Sequence, residues 1–349
     1  INNIFGRESS LPLFITEKEF FVITLIGHPE SKRTFYFCQA ASRLQEHINV
    51  VNYDQALTLP LNKSMVKIDP PLHQETDIRL INTVSQNYIT FLQKMANRRE
   101  IRFINSPESI IHLLDKRHCK QRLIEHAIPT PPILADDIRS YDQLIACMRS
   151  EKVYRVFIKP NFGSGAAGVL ALSLHPGDNR QVLYCAIQVA GNRLVNSKHI
   201  IRYENSDDIT LIVNTILQQE NIIERWLAKA RVGNKSYDLH IVYVNGEIVW
   251  RVVRTSSQPI TNLHLQNEAI RFADLNLPAE KVAEIDTLCL NAMKLYPDVH
   301  IAGLDVLLTQ NLTPYIIEIN GQGDLIYQDT CEQNIIYQRQ IQVMREHHV

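Results

Sequence analysis

Two acidic residues in the last part of the chain lie in short apolar runs that would form a β-hairpin. Residues 303–308 and 315–320 flank a short turn, which places Asp305 opposite or nearly opposite Glu318, with their Cβ atoms about 5 Å apart. Asn320 shares the face of Glu318, because side chains alternate along a strand. The apolar residues that this hairpin would turn into the core are Leu304, Val306, Ile317 and Ile319. Carboxylate and amide oxygens are hard ligands that suit Mg²⁺, so the spacing predicts a metal site, or else a solvated face that carries unrelated acids.

A glycine-rich segment in the middle of the chain carries a second signal. Gly163, Gly165 and Gly168 form G-x-G-x-x-G, a pattern that lets backbone amides approach phosphate oxygens closely. A dinucleotide-binding fold needs a helix that opens at the third glycine, whereas residues 169–174 have the composition of a strand. The segment is therefore predicted to be the tip of a hairpin that lies over a nucleotide, with a plain turn as the alternative.

The surroundings of these glycines exclude two other kinds of phosphate-binding loop. The chain has no G-x-x-x-x-G-K-[ST], which a P-loop requires, and it has neither the H-R-D nor the D-F-G triplet of protein kinases. Lys159 also precedes the glycines, whereas a protein kinase carries its lysine on the strand after them. A hairpin that covers a nucleotide is the interpretation that remains.

Length, composition and cysteine spacing limit the class of protein. At 349 residues, with 45% hydrophobic and 21% charged residues, the chain is long enough for two or three packed units. A formal charge of −1 provides no basic field for nucleic acid or an anionic membrane surface, and no apolar run is as long as a membrane span. The six cysteines are dispersed without a C-x-x-C pair, which indicates neither a zinc site nor a disulfide framework. We therefore expect a cytoplasmic protein whose partners are small molecules or proteins.

The first third of the chain alternates between apolar strands and amphipathic helices. The predicted strands are residues 20–27, 48–53 and 101–104, and the predicted helices are residues 31–46 and 77–98, followed by a helix start at Ser106. This alternation predicts an α/β unit with a parallel sheet.

The rest of the chain has the pattern of α+β units. A helix at residues 115–127 precedes the proline-rich residues 128–132, which mark a boundary. Strands are predicted around Gly191-Asn192, at residues 221–227, at 238–243 and 247–253 around Asn245-Gly246, and at 301–308 and 314–319. The further predicted helices are residues 140–149, a segment capped by Ser206 or Asp207, 278–296 and 329–347.

Taken in chain order, these motifs resemble the ATP-grasp superfamily. The ordered set is Lys159-Pro160 with the glycine loop, Glu224-Arg225-Trp226-Leu227, Asp305, and Glu318-Ile319-Asn320. Its spacing is most similar to the glutathione synthetase and ribosomal-protein glutamate ligase branch. The resemblance implies an α/β and α+β architecture in which two β-rich subdomains clasp ATP. The implied units are an N-terminal Rossmann-like domain at residues 1–114, a central subdomain with the glycine hairpin at 115–226, and a C-terminal subdomain with the metal-binding strands at 227–349.

The resemblance also implies how the cofactors ATP and Mg²⁺, with Mn²⁺ as a substitute, would be bound. Asp305, Glu318 and Asn320 match the metal ligands. Lys116 and Lys159 resemble two lysines that contact the phosphates of ATP. The residues that match the loop over the triphosphate are Gly163, Ser164, Gly165, Ala166 and Gly168, and those of the linker that meets the adenine are Glu224, Arg225, Trp226 and Leu227.

The implied activity is that of an ADP-forming carboxylate–amine ligase. Such enzymes transfer the γ-phosphoryl group of ATP to a carboxylate, and an amine then attacks the acylphosphate, so catalysis consists mainly of positioning and charge neutralisation. Arg254 and Lys159 are the expected catalytic residues, and Arg254, Asn262 and His264 resemble the segment beside the activated carboxylate. Arg251 and Arg254 lie on opposite faces of a strand, so at most one of them is expected to point into the cleft. The implied partners are small-molecule or peptide carboxylates and amines, without nucleic acid or membrane, and a homodimer is left open.

Departures from the family pattern keep two alternatives open. His240 stands where relatives often have arginine, Gly321-Gln322-Gly323-Asp324 replaces a segment of small hydroxyl residues and Pro-Gly, and residues 228–237 leave the ribose contact unassigned. One alternative is a phosphotransferase of the same fold that stops at a phosphorylated product. The other is a non-catalytic ATP-binding regulatory protein, against which the presence of all three predicted metal ligands argues.

Overall fold

The computed structural model describes residues 22–72, 77–163, 165–191, 193–323 and 325–347, which form three β-sheets and the helices that cover them. No helix in these ranges has the length and apolar character needed to cross a membrane. The strands are β1 (Val22–Ile26), β2 (Ile48–Val51), β3 (Ser64–Ile68), β4 (Arg102–Phe103), β5 (Ile133–Ala135), β6 (Arg155–Pro160), β7 (Leu170–Leu174), β8 (Gln181–Ala190), β9 (Arg193–Tyr203), β10 (Asn221–Arg225), β11 (Arg231–Val232), β12 (Lys235–Val244), β13 (Glu247–Ser256), β14 (Glu268–Arg271), β15 (Ile301–Leu308) and β16 (Pro314–Asn320). The helices are α1 (Lys32–Arg43), α2 (Tyr53–Ala56), α3 (Ile81–Ala96), α4 (Pro107–Leu114), α5 (Lys116–Glu125), α6 (Tyr141–Ser150), α7 (Ser206–Leu217), α8 (Ala279–Met293), α9 (Tyr327–Thr330) and α10 (Ile335–Glu346).

The N-terminal sheet is parallel, as the alternating pattern predicts. Its four strands lie in the order β2-β1-β3-β4. The predicted strands correspond to β1, β2 and β4, although residues 20 and 21 lie outside the described ranges. The pattern did not predict β3, because Ser64 and Lys67 interrupt its apolar run. Lys67 is nevertheless buried, since it forms an ion pair with Asp69 just after the strand.

Local capping signals set the helix starts in this region. Ser31 accepts a hydrogen bond from Thr34 N at 3.0 Å at the start of α1. At the start of α4, Ser106 accepts a hydrogen bond from Ser109 N at 3.1 Å, and Pro107 is the first residue of the helix. Both starts are where the sequence predicts them, because a cap needs only residues that are close in sequence.

The second sheet is antiparallel and contains the glycine hairpin. Its strands lie in the order β5-β10-β6-β7-β8-β9, and β6 and β7 pair directly on either side of the glycines. Helices α6 and α7 cover one face with buried side chains such as Leu144, Ile212 and Ile216. The other face points toward the third sheet. The pairing of β6 with β7 confirms the predicted glycine hairpin.

The third sheet carries the two acidic residues. Its strands lie in the order β14-β13-β12-β15-β16, with β11 paired to β12. The hairpin of β12 and β13 turns at Asn245 (φ 46°) and Gly246 (φ 90°), as the Asn-Gly pair predicts. Side chains of α5 and α8, including Leu123 and Leu288, pack on one face. The opposite face is therefore available to form a cleft with the second sheet.

Helix α10 connects the first and third sheets. Its residues Ile341 and Met344 share a buried cluster with Leu25 of β1 and Val242 of β12. This helix belongs to the last predicted unit but also packs on the first. The limits predicted for the three units stay a prediction.

A buried amide, that of Asn105, helps to attach the acidic hairpin to the N-terminal unit. Asn105 accepts hydrogen bonds from His300 N at 2.8 Å and Ile301 N at 3.0 Å, and it donates to the carbonyls of Ile301 and Gly321, each at 2.7 Å. Ile301 begins β15 and Gly321 follows β16. Asn105 therefore holds both open ends of the hairpin in place.

Candidate active site

The hairpin of β15 and β16 brings the two acidic residues together. Asp305 is directly opposite Glu318, and Gly303 is opposite Asn320, so the predicted pairing is confirmed. Val306 pairs with Ile316 rather than Ile317, because a bulge places one extra residue in β16. Ile317 was predicted in the core, and this is wrong: the bulge turns it toward the cleft beside Glu318, with Lys116 nearby. Ile316 takes its place in the core.

Two side chains, His240 and Arg254, contact the Asp305 carboxylate. His240 Nδ1 lies 2.7 Å from Oδ1, and Arg254 Nη2 lies 3.0 Å from Oδ2. Burial opposes ionisation of Asp305, but the Arg254 guanidinium and the His240 contact outweigh it and lower its pKa. Arg251 points to the other face, where its Nε donates to Asp286 Oδ1 at 3.1 Å. Only Arg254 therefore enters the cleft, as the alternation of the strand predicts.

Asp238 anchors Arg254 from behind. Arg254 Nε donates to Asp238 Oδ1 at 2.8 Å, and Lys229 Nζ lies 2.9 Å from Oδ2. Thr261 also donates its hydroxyl to Oδ2, and Lys229 donates to that hydroxyl at 2.6 Å. Burial opposes the charge on Asp238, yet the Arg254 and Lys229 cations hold its pKa well below its usual range. Arg254 is thus fixed between Asp238 and Asp305.

The opposite wall of the cleft carries a second buried network, centred on Glu224. Its Oε1 lies 2.7 Å from Lys120 Nζ and its Oε2 lies 2.8 Å from Lys159 Nζ, with Glu224 only 3% exposed. Burial opposes ionisation, but the two ammonium groups lower the pKa of Glu224. Lys120 also donates to the Pro131 carbonyl at 3.0 Å. Both Glu224 oxygens are therefore engaged by lysines in this structure.

Lys116 connects the two walls. Its Nζ donates to the Gly163 carbonyl at 2.7 Å and lies 3.1 Å from Glu318 Oε1. The start of its helix is fixed by Asn161, which donates to Asp115 Oδ1 at 3.0 Å and accepts from Arg117 N at 2.9 Å. Lys116 thus joins the glycine loop to the strand that carries Glu318.

The glycine loop is held in a conformation that depends on small residues. Gly168 has φ of 72°, and a Cβ at this position would lie 2.6 Å from Pro160 Cγ and 3.1 Å from Ile81 Cδ1. Ala166 also has positive φ, at 64°. A Cβ at Gly165 would lie 4.0 Å from the His264 ring, so the loop and the segment that contains His264 are neighbours. Ser164 lies outside the described residues.

The linker after β10 borders an apolar patch on the cleft face of the second sheet. Trp226 lies 5.2 Å from Phe157 between ring centroids, and its backbone N–H donates to the Arg155 carbonyl at 3.1 Å. Arg225 is exposed and Leu227 is half-buried. The patch also contains the buried residues Ala171, Ala186, Ile260 and Leu265, of which Ile260 and Leu265 come from the loop after β13. A flat apolar group bound here would be enclosed from both sheets.

Within the loop after β13, Asn262 has a local structural role. Its side-chain oxygen accepts a hydrogen bond from His264 N at 2.9 Å. Asn267 Nδ2 donates to the Asn262 carbonyl at 2.9 Å and to the Ile260 carbonyl at the same distance. These bonds keep Asn262 and His264 beside the glycine loop.

Comparison with solved structures gives matches over nearly the whole chain. D-cycloserine synthetase DcsG covers 93% of this chain and 99% of its own, at 11% identity and a TM-score of 0.61. A RiPP-associated ATP-grasp ligase of Chryseobacterium gregarium, in complex with ADP and a leader and core peptide, covers 94% and 97%, at 13% identity and a TM-score of 0.59. D-alanine–D-alanine ligase from Bacillus anthracis, complexed with ATP, covers 94% and 96%, at 14% identity and a TM-score of 0.53. The chain has the ATP-grasp fold.

The fold class predicted from the motifs is therefore confirmed. No protein-family model and no curated protein matches the sequence. The similarity to the glutathione synthetase and ribosomal-protein glutamate ligase branch stays a prediction, since the solved ATP-grasp structures share only 11–14% of their residues with this chain. In this fold, the cleft has carboxylates on the third sheet, and it has lysines on the second sheet and on α5.

The ligands present fit a hard divalent cation. Asp305 and Glu318 provide two carboxylates on paired strands, and Asn320, two residues after Glu318 on the same strand face, adds an amide oxygen. Across the described ranges, no three His, Cys, Asp or Glu side chains converge. Softer ions that select Cys or His have no comparable set here.

Four residues that complete the ATP-grasp cleft were not singled out by the sequence analysis. Lys120 lies one helical turn after Lys116 and so shares its face, which is a signal that the sequence contains. Asp238 lies two residues before His240 on the same strand face, which is a second signal. Lys229 and Thr261 reach Asp238 from segments outside the strands, and neither belongs to a recognisable pattern.

Replacing Gly168 with alanine is expected to destabilise the glycine hairpin. The new methyl group would overlap Pro160 Cγ at 2.6 Å and lie tightly against Ile81 Cδ1 at 3.1 Å, and φ of 72° is unfavourable for alanine. We expect a loss of about 3 kcal/mol in the free energy of unfolding, measured with urea. Gly191→Ala is the matched control, since Gly191 has φ of 60° but nothing within 4 Å, and we expect a loss of about 1 kcal/mol. Equal losses in the two variants would contradict the role of the close approach.

Proposed function

We propose that the chain is an ATP-dependent carboxylate–amine ligase that forms ADP. The observation that carries the proposal is the direct opposition of Asp305 and Glu318 on a cleft face that also presents Arg254. Lys159 and Lys116 line the opposite side of the same cleft. Two carboxylates facing cationic side chains suit the transfer of a phosphoryl group, in which the protein mainly positions and neutralises charge.

ATP and a divalent cation have a consistent place in this cleft. Asp305, Glu318 and Asn320 would hold Mg²⁺, or Mn²⁺ in its place, because both ions prefer oxygen ligands. When bound, the ion supplies neutralisation of the phosphate charges. Lys159 and Lys116, with the backbone of residues 163–168, would bind the triphosphate. The adenine would lie against Trp226 and the apolar patch around it.

The side chains of the cleft then have distinct tasks. Arg254, fixed by Asp238 and Asp305, would present its guanidinium to the carboxylate that accepts the phosphoryl group and would stabilise the charge that develops there. Lys159 would be oriented by Glu224, whose second oxygen is held by Lys120. The loop after β13, with Asn262 and His264, would close the acid side of the cleft and exclude water. No protein nucleophile is required.

The substrates we propose are a carboxylic acid and an amine, either of which is a small molecule or part of a peptide. The ligase of Chryseobacterium gregarium, in complex with leader and core peptide, and D-alanine–D-alanine ligase represent the two sizes of substrate in this fold. We expect the phosphates and the metal to be bound as in the glutathione synthetase and ribosomal-protein glutamate ligase branch.

One set of assays tests the proposal. ADP release is measured with a panel of acids and amines, in the presence and absence of hydroxylamine. Hydroxylamine traps an acylphosphate, so formation of a hydroxamate supports the ligase. ADP formation with a phosphorylated product that hydroxylamine does not attack would instead identify a phosphotransferase. Tight ATP binding without turnover across the panel would identify a regulatory ATP-binding protein.

A further inference from the structure

A polar corner lies at the carboxyl ends of the N-terminal parallel strands. From β1 the chain goes to β2 on one side and then to β3 on the other, so the order of the strands reverses between β1 and β3. Open α/β sheets bind ligands in the crevice outside such a point. Gly27 follows β1 and Asp69 follows β3, and Asp69 N donates to the Ile26 carbonyl at 2.9 Å. The two residues therefore stand side by side at this crevice.

Asp69 carries a carboxylate oxygen that lacks a hydrogen-bond partner within the described ranges. Its side chain is only 3% exposed; Oδ1 forms an ion pair with Lys67, whereas Oδ2 is buried without a donor. A buried acceptor left in this state is costly, and native structures rarely tolerate it. Because Lys67 already compensates the charge, Oδ2 calls for a neutral N–H or O–H donor that the described residues do not provide, rather than for a second cation.

Gly27 leaves room next to this oxygen. A Cβ at Gly27 would lie 4.0 Å from Asp69 Oδ2, 3.4 Å from Asp69 Cβ and 3.6 Å from Thr34 Oγ1. These are ordinary van der Waals distances, and the backbone of Gly27 is not in the left-handed region. The missing side chain thus leaves a space of about one methyl group beside Oδ2, which a small donor group can share.

The corner formed by Gly27 and Asp69 is connected to β16, the strand that carries the candidate metal ligands Glu318 and Asn320. Tyr53 and Tyr88 donate their hydroxyls to the Asp69 carbonyl at 3.0 Å and 3.5 Å. Gln322 donates its side-chain amide to the Tyr88 hydroxyl, and Gln322 follows Asn320 by two residues. A group held at Asp69 is therefore adjacent to the segment that leaves the metal strand.

A second buried polar group lies along this segment. Gln340 of α10 is fully buried, and neither its side-chain oxygen nor its nitrogen has a partner in the described part of the chain. A Cβ at Gly323 would lie 3.3 Å from Gln340 Nε2, so this amide faces the same segment. This second unpartnered amide therefore lies beside the segment that follows β16.

We propose that Asp69 Oδ2 binds the amine substrate of the ligase by accepting an N–H hydrogen bond. This inference rests on the proposed function, because an amine is needed only if an acylphosphate is formed. The corner belongs to the N-terminal unit, whereas the ATP phosphates are assigned to the other two sheets. The acid and the amine would thus reach the cleft from different units of the fold.

The test uses hydroxylamine, a small amine that is largely neutral at pH 7, and the variant Gly27→Ala. The added methyl group fills the space beside Oδ2 but leaves the Lys67–Asp69 ion pair in place. With an acid that supports hydroxamate formation, the hydroxylamine concentration for half-maximal rate is expected to rise roughly tenfold, while the half-saturating concentrations of ATP and acid stay unchanged. Gly177→Ala is the control, since Gly177 is exposed and a Cβ there contacts only His175.

Asp69→Asn and a crystal soak complete the design. Asp69→Asn is expected to raise the half-saturating hydroxylamine concentration as well. In crystals of the wild-type protein soaked in hydroxylamine, we expect the molecule within hydrogen-bond distance of Asp69 Oδ2, and we expect it to be absent from Gly27→Ala crystals. Water alone at that oxygen, or equal half-saturation in wild type and Gly27→Ala, overturns the inference while leaving the ligase intact. Absence of hydroxamate with every acid counts against the proposed function instead, and the soak still decides the site.

Discussion

Glu318→Gln is expected to lower ADP release by at least about a hundredfold, because it removes one of the two opposed carboxylates that would hold the divalent cation. ATP binding is expected to persist, since Lys159 and the glycine loop are unchanged and Lys116 keeps its hydrogen bond to the Gly163 carbonyl. ADP release is measured with an acid from the panel, and ATP binding is measured by calorimetry. The change removes a charge without changing the size of the side chain.

The control for this variant is Glu280→Gln. Glu280 is exposed in the first turn of α8 and faces no part of the cleft. Its replacement should leave both ADP release and ATP binding as in the wild type. Unchanged turnover in Glu318→Gln would show that the opposed carboxylates do not hold a catalytic cation. Loss of ATP binding together with turnover would point to a folding defect or to a direct role in nucleotide binding.

Arg254→Met is expected to destabilise the protein by about 3 kcal/mol and to abolish turnover. Arg254 is 8% exposed and bridges the carboxylates of Asp238 and Asp305, so its removal leaves buried negative charge without adequate compensation. Methionine retains much of the apolar volume, which limits the packing loss. The free energy of unfolding is measured with urea at pH 7, and the remaining folded protein is assayed for ADP release.

The same strand provides the matched control. Arg251 lies three residues earlier, faces away from the cleft and pairs with Asp286, with both side chains about a quarter exposed. Arg251→Met should therefore cost about 1 kcal/mol or less and leave turnover intact. If the two variants were equally stable and equally active, the buried network around Arg254 would not be essential to the cleft. A stable but inactive Arg254→Met would separate catalysis from stability.

Short-range patterns in the sequence predict much of the cleft. Asp305 and Glu318 are separated by a single tight hairpin, and the alternation of side chains is enough to place them opposite one another. The glycine hairpin follows in the same way, because the strands on either side are adjacent in sequence. The capped starts of α1 and α4 depend only on residues three positions apart.

Other parts of the cleft depend on residues that are distant in the chain. Glu224 of β10 meets Lys159 of β6 across 65 residues and meets Lys120 of α5, so no local pattern reveals the network. Strand β3 was missed because the interior position of Lys67 is acceptable only when Asp69 is folded next to it. The bulge at Ile317 was missed because hairpin alternation assumes a regular register.

The sequence alone determined the order of the motifs, the hairpins and the pairing of the two acids, since these follow from side-chain alternation and turn chemistry within a few residues. Only the tertiary structure decided which charges neutralise each other, that α10 joins the first and third sheets, and that Asp69 stands at the strand-order reversal with an unpartnered oxygen in the described chain. Burial makes these long-range pairings strong, and burial is a property of the packed molecule rather than of any segment.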